Sequence, residues 1–522
     1  MSAPKGLRVA VYDRHWATAG GGEKYAGGIA EVLSHDNDVP LIANDEIDPE
    51  WLGERLALDL GRVTVTVVDE CDPLERVSSG FDLLVNASYR SHGRNGARHG
   101  IYVVHFPDRP GATLSGWQRA VVGRMRRWRG DAAGPVRVES GFHEPDAIRW
   151  QQVHWTNGRG VLAVDLPPGR TGMLRIRLGR FIPGGVDRPV VVEVDGAPVV
   201  EAVLRAPSSR REVLEPLLLS VPVRGRTGGT NVVIHSDAGS PHDVIGNGDR
   251  RHLGVPVVSV GLGHGPMAAT LAQASLLGAD RPGVGWLDSY DRVVSNSAFT
   301  AGWVQQWWNR SSDVVPPPVG LREPGEKDRV ILTVGRFFAP GRGHAKKQLE
   351  MVDAFRRLGG AAEGWELHLV GGCSPEDRGY LEQVQRAAEG SAVVLHVDAS
   401  GAELDSLYRR AAVYWHATGL GEDLDDDPVR AEHFGITTVE AMSAGAVPVV
   451  IDAGGQPEIV RDGLDGLLFH DIDGLVGRTR ELLADPARRA RLAASAEERA
   501  QRYGLEAFGE RFSALIGDVV GS

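Results

Sequence analysis

Only two cysteines, Cys71 and Cys373, occur in 522 residues. Far apart in sequence, they offer neither a disulfide framework nor a metal-ligand cluster. Lysine is nearly as scarce: Lys5, Lys24, Lys327, Lys346 and Lys347 are the only five. Acidic residues outnumber basic ones, 69 to 57, for a net charge of −12. That balance lacks the basic footprint nucleic-acid binding requires. No apolar run reaches the roughly 20 residues that span a bilayer. The chain enters an apolar strand at Leu7–Tyr12 without a signal peptide's charged and apolar regions. A reducing cytoplasmic location is the expectation.

What is present fits a soluble globular protein too long for one core, hence two or three domains. Residues 1–133 alternate short apolar strands with helices, the pattern of a parallel α/β layer. Gly20-Gly21-Gly22-Glu23 opens a helix there, but Tyr25 stands where a dinucleotide fingerprint needs its third glycine. Residues 134–250 change to period-2 alternation, with Asp195-Gly196 as a hairpin signal, predicting an inserted β-sandwich or jelly roll. The α/β pattern resumes over 251–320, with a helix expected at Ala268–Leu277, and ends on Pro316-Pro317-Pro318, a stiff connector. A second α/β domain spans 321–495, and 496–522 reads as helical.

The densest chemistry lies at Glu432-His433-Phe434-Gly435-Ile436-Thr437-Thr438-Val439-Glu440. Phe434-Gly435 reads as a loop and Ile436 to Ala444 as a helix, with Glu432 before the turn and Glu440 one turn inside. The helix start offers unpaired N–H groups and partial positive charge to a phosphate. Two glutamates flanking that seat can each accept hydrogen bonds from sugar hydroxyls.

This stretch resembles the Glu-x7-Glu motif of retaining GT-B glycosyltransferases, especially glycosyltransferase family 4. The resemblance continues through Glu440-Ala441-Met442 and Gly454-Gly455-Gln456-Pro457-Glu458, and more loosely through Ser295–Thr300. It implies two Rossmann-like lobes facing a cleft, with a terminal helix crossing back to the first. It implies transfer of a sugar from a nucleotide-diphosphate donor with retention, by a front-face route without a protein nucleophile. Glu440 would hold the ribose and Glu432 the donor sugar, aided by backbone groups of Phe434, Gly435, Ile436 and Thr437. Arg336, after the strand Val330–Val334, and Lys346, eight residues before Ala354-Phe355, match the family's phosphate-binding cations. Either Lys346 or Lys347 can fill that place. An arginine fork and a lysine point charge would neutralise the diphosphate.

In the first lobe, Gly21 and Gly22 can bring backbone N–H groups to the leaving phosphate. His105 ends the strand Ile101–Val104, and a parallel strand's carboxyl end faces the ligand crevice. Its position resembles the family's histidine near the reacting sugar carbon. Glu422–Asp427 lacks a calcium loop's alternating ligands and glycine and reads as a solvated loop. No cofactor is expected, and no metal, since the family replaces it with cations and helix dipoles. The implied partners are a nucleotide-sugar donor and a glycan or lipid-linked acceptor. Trp117–Arg129 places Trp117, Val121, Met125 and Trp128 on one stripe, read equally as a helix at an anionic membrane surface or as a core-facing one. Phe142, Trp150, Trp155 and Phe181 could stack on sugar rings, though core packing is favoured for most. Two rival functions stand beside the transferase: a GT-B nucleotide-sugar epimerase and a non-catalytic glycan-binding protein using the β-insert.

Overall fold

A computed structural model describes residues 5–108, 136–148, 151–182, 185–207, 216–245, 249–262, 284–339 and 344–521. The first lobe opens with strands β1 (Val9–Tyr12), β2 (Pro40–Ala43), β3 (Thr64–Val67), β4 (Leu83–Asn86) and β5 (His99–Val104). Runs such as Val-Ala-Val-Tyr and Leu-Leu-Val-Asn are buried throughout, as strands covered on both faces must be.

Nine antiparallel strands follow: β6 (Val136–Phe142), β7 (Asp146–Ile148), β8 (Gln151–Val164), β9 (Thr171–Leu178), β10 (Arg188–Val194), β11 (Ala197–Leu204), β12 (Leu217–Arg224), β13 (Thr230–Ser236) and β14 (Pro256–Leu262). They pair in the order β11-β10-β13-β8-β14-β9-β12, with β6 and β7 on β8. Alternate residues from both ends of that path, among them Val190, Val192, Ile176, Leu178, Val221 and Val223, close on one apolar core. The β10–β11 turn sets Asp195 at φ 50° and Gly196 at φ 83°. Both left-handed values suit the turn whose twist matches a hairpin, which is why Asp-Gly stands there. Phe142 and Trp155 are buried, while Phe181 is 41% exposed; Trp150 lies outside the described residues.

The expected boundary at 250 needs correction. Strand β14 pairs with β8 and β9, so the antiparallel unit runs to Leu262. A short continuous apolar run reads equally as a strand of a parallel or an antiparallel sheet.

Strands β15 (Arg292–Ser295) and β16 (Asp313–Val314) return to the first sheet, which is wholly parallel in the order β16-β15-β5-β4-β1-β2-β3. The order reverses between β1 and β4, and α/β ligands bind at such a point, beyond the strands' carboxyl ends. The second lobe repeats this plan with β17 (Val330–Val334), β18 (Glu366–Gly371), β19 (Val393–Val397), β20 (Val413–His416), β21 (Val447–Ile451) and β22 (Leu467–Phe469). Its parallel order is β19-β18-β17-β20-β21-β22, reversing between β17 and β20.

The last two long helices part company. Pro486–Ala500 packs Ala496 and Ala500 against Val439 and Met442 of the second lobe. Leu505–Val520 crosses to the first lobe and buries Phe508, Phe512, Leu515, Ile516 and Val519 in its core. Each phenylalanine so covered is worth roughly 1.5–3 kcal/mol. Among the described residues no helix is long and apolar enough to cross a membrane. Both Trp117–Arg129 and Ala268–Leu277 lie outside them.

Candidate functional site

The two reversal points face one another, and a helix begins at each. In the first lobe the loop after β1 leads to the helix Gly21–Ser34; in the second, Gly435 precedes the helix Ile436–Ser443. Neither N-cap glycine supplies a side-chain cap, and although Glu23 Oε2 accepts from the Gly20 N–H at 2.6 Å, the N–H groups of Gly21, Gly22, Ile436 and Thr437 remain for a ligand. The two ends are neighbours: a β-carbon added at Gly21 would lie 3.4 Å from Ile436 Cδ1. Two partial positive charges of helix dipoles therefore meet across the cleft.

Gly435 is held at φ 123°, where side chains are strained, and a β-carbon there would collide with the Gln456 amide. That amide donates to the Phe434 carbonyl at 3.2 Å and accepts from Thr438 Oγ1 at 2.9 Å, fixing the turn. Thr437 Oγ1 accepts from Tyr414 at 2.7 Å. Phe434 itself is core, its ring edge-on to Tyr503.

Glu432 Oε2 accepts from Lys346 Nζ at 2.5 Å and from His416 Nε2 at 3.1 Å. Burial alone would raise this carboxyl, but the Lys346 charge and the His416 hydrogen bond hold it well below its ordinary range. Since an ionised carboxylate only accepts, His416 Nε2 carries the proton, leaving Nδ1 buried without a partner. Lys347 turns the other way, binding Glu422 at 2.6 Å. Of the two lysines, Lys346 is the one beside Glu432. The acidic stretch is also less solvated than expected, because Glu422 holds Lys347 and Arg430 together.

Glu440 is buried on the same helix. Its Oε2 accepts from Tyr408 at 2.9 Å and its Oε1 from Arg322 at 3.3 Å, while Lys24 of the first lobe approaches to 3.9 Å. Arg322 lies over the Tyr408 ring and pairs with Asp405 at 3.0 Å. Arg336 stands exposed over Phe338. Among the described residues it makes no ion pair with either glutamate, though its charge helps lower the His344 pKa.

His105 lies against Gly22, 3.5 Å from where a β-carbon would be, between the edges of Tyr25 and Tyr89. Its Nε2 sits 2.7 Å from the Ala87 carbonyl, which can only accept. Nε2 is then protonated and Nδ1 is the acceptor. Burial lowers its pKa, so the ring is neutral near pH 7.

Further contacts join the lobes. Phe106 stacks on His433 at 4.1 Å and 15°. Burial, reinforced by His344, takes His433 down to about 3; His344 falls to about 4 by burial and the Lys346 charge. Glu458 accepts from the N–H groups of Ala298 and Phe299 at 2.7 and 2.6 Å, capping the first-lobe helix Ala298–Trp308 with a carboxylate of the second.

Sequence reasoning missed His416, Arg322, Tyr408 and Lys24. Two left a usable signal: His416 ends β20 just as His105 follows β5, and Lys24 is one of five lysines. Arg322 and Tyr408 left none.

Residues 322–499 match the family "Glycosyl transferases group 1". A D-inositol 3-phosphate glycosyltransferase of Segniliparus rotundus is 28% identical over 241 residues, 42% of this chain and 50% of that protein. A GDP-Man:Man(3)GlcNAc(2)-PP-Dol alpha-1,2-mannosyltransferase of Dictyostelium discoideum is 24% identical over 250 residues, 44% and 47%. The chain thus spans about half the length of the curated relatives it matches. Among solved structures, Anabaena HepE in complex with UDP and glucose aligns over 98% of this chain and 99% of that one, with TM-score 0.52 and 12% identity. Sucrose-phosphate synthase from Thermosynechococcus elongatus aligns over 99% of both, with TM-score 0.50 and 14% identity. The second lobe is thus similar to the glycosyl transferases group 1, in a chain whose overall fold is GT-B-like.

Proposed function

We propose that this chain is a retaining glycosyltransferase of family 4, moving a sugar from a nucleotide-diphosphate sugar to a glycan or lipid-linked acceptor. The carrying observation is the meeting of two helix starts beside the Lys346–Glu432 pair, with Glu440 one turn away. Such a seat suits a diphosphate whose two ends carry sugars. The HepE structures contain UDP, glucose and UDP-glucose, which favours a nucleotide-sugar donor.

In this reading the diphosphate takes N–H groups of Ile436, Thr437, Gly21 and Gly22, and the charges of Lys346 and Arg336. The ribose hydroxyls displace part of the Arg322 and Lys24 contact on Glu440. Glu432 keeps Lys346 in place and offers its remaining lone pairs to the donor sugar. The acceptor hydroxyl approaches on the side of the departing phosphate. As the C1–O bond to phosphate breaks, the new C1–O bond forms on the same face, and a phosphate oxygen takes the acceptor proton. His105 Nδ1, an acceptor near Gly22, orients a hydroxyl there. No resident metal is invoked, because cations and helix dipoles bear the developing charge. The antiparallel insert is read as a β-sandwich, and the site of action as the cytoplasm.

Nucleoside diphosphates test the site directly. Binding to the folded state raises the melting temperature by mass action, about 2.7 kcal/mol at a hundredfold excess over Kd. Wild type should respond to one of them; Lys346→Ala and Glu440→Ala should lose the response. Full response in both variants refutes the site.

A further inference from the structure

Lys327 is set apart from the other four lysines. Each of those has a carboxylate in ion-pair reach: Lys5 has Asp36 at 2.9 Å, Lys24 has Glu440 at 3.9 Å, Lys346 has Glu432 and Lys347 has Glu422. Among the described residues Lys327 has none, and its Nζ instead donates to two backbone carbonyls, Arg409 at 2.9 Å and Ala444. Arg409 lies in the last turn of the helix Gly401–Arg410, and Ala444 ends the helix Ile436–Ser443. Carbonyls at such helix ends lack a partner within the helix.

This setting suits an uncharged amine. An ammonium brings three N–H donors and a charge, whereas the amine brings two donors and a lone pair. Two carbonyls satisfy both donors and leave the lone pair unused. Burial without a paired carboxylate takes the Lys327 pKa down to about 8, opposed only in part by the more distant Glu497. Near pH 8 about half of these side chains are unprotonated, against roughly one in 250 for an ordinary lysine near 10.4. The nitrogen is also within reach of a small reagent. Lys327 is only half-buried, and Gly445, where a β-carbon would stand 3.6 Å from Nζ, has no side chain to cover it.

We propose that Lys327 is a modification site, the lysine of this chain most readily acylated by a small acyl phosphate. The nitrogen lone pair attacks the carbonyl carbon, the bond from that carbon to the phosphate oxygen breaks, and the departing phosphate takes one N–H proton. The amide formed is neutral and keeps a single N–H, enough for one of the two carbonyls. A carbamate from carbon dioxide fits worse, since its negative charge would face both carbonyl oxygens. The lost tie matters at the nucleotide seat. The helix Gly401–Arg410 carries Tyr408 and Asp405, the helix Ile436–Ser443 carries Glu440, and Arg322, on the same connecting segment as Lys327, touches Asp405 and Glu440. Acylation therefore loosens the hold on Glu440. That consequence rests on the transferase reading above; the acylation itself does not.

Full-length protein incubated with acetyl phosphate at pH 8 and followed by peptide mass spectrometry tests this. Lys327 should gain its acetyl group about fivefold or more faster than any other lysine, and the preference should vanish in urea-unfolded protein. Acetylated protein should melt lower and respond more weakly to nucleoside diphosphates. Lys327→Arg, which keeps the charge and the donors, should be unchanged on both counts by the same treatment. Equal or faster acetylation of another lysine in the folded protein, or a preference that persists in urea, overturns the proposal. If Lys327 reacts first but the nucleotide response is unaltered, the coupling to Glu440 is refuted and the modification site stands. If no nucleotide shifts the melt while Lys327 still reacts first, the transferase reading fails and the modification site again stands.

Discussion

Replacing Lys346 by methionine removes the ammonium that touches Glu432 and leaves the carboxylate with His416 alone. The two side chains are 16% and 18% exposed, so neither charge is fully hydrated once its partner is gone. Breaking a buried pair from one side costs about 3–5 kcal/mol, and the residual exposure argues for the lower end, about 3. For a unit of this size 1 kcal/mol moves Tm by about 2–4 °C, which makes the drop roughly 6–12 °C. Glu432→Gln strands the lysine and should cost a similar amount. In the double variant no charge is stranded, and the loss should be no greater than in either single. That non-additivity is a coupling of about 3 kcal/mol, at the top of the range for residues in contact. Urea unfolding of the four proteins at low salt measures it. If the two single losses add in the double, or each is under about 1 kcal/mol, the pair is a solvated one and Glu432 is not electrostatically held.

Gly435→Ala forces a side chain into left-handed backbone and against Gln456. Strain of about 1–3 kcal/mol, plus about 1 for each disturbed Gln456 hydrogen bond, predicts about 3 kcal/mol in urea unfolding and loss of the nucleotide response. His15, His143, His154, His344 and His433 all have folded-state pKa values depressed to about 3 or 4, chiefly by burial. Their contribution is complete above the ordinary histidine value of about 6.5 and is lost as pH falls, since the unfolded chain binds protons first. Each can remove up to about 1.4 kcal/mol per pH unit, so Tm should fall steeply between pH 6.5 and 5; a flat profile to pH 5 contradicts the burial. Glu432, also depressed, weakens the fold only at still lower pH, below the ordinary glutamate range.

Much of the second lobe was legible, because each of its signals is local. Apolar runs bounded by glycines gave β17 and β21, and Glu432–Glu440 spans one turn and one helix. The Asp195-Gly196 hairpin was equally local. What escaped depends on distant partners. Strand β14 has no feature of its own that assigns it to the antiparallel sheet. Arg322 reaches Glu440 across 118 positions, and Glu458 caps a helix 160 positions away. Such pairings are set by lobe packing, and no spacing announces them. Phe142 and Trp155 of the insert are buried, as core packing implied.

The helix Leu505–Val520 makes the order of synthesis matter. Strands β1 to β5 emerge from the ribosome early, but the greasy seam they leave waits for Phe508, Phe512 and Ile516. Until then the early strands must stay uncovered on that side, while the later lobe can already close around its own interior. Maturation of the nascent protein should therefore run backwards, second half first, with the opening segment sealed last.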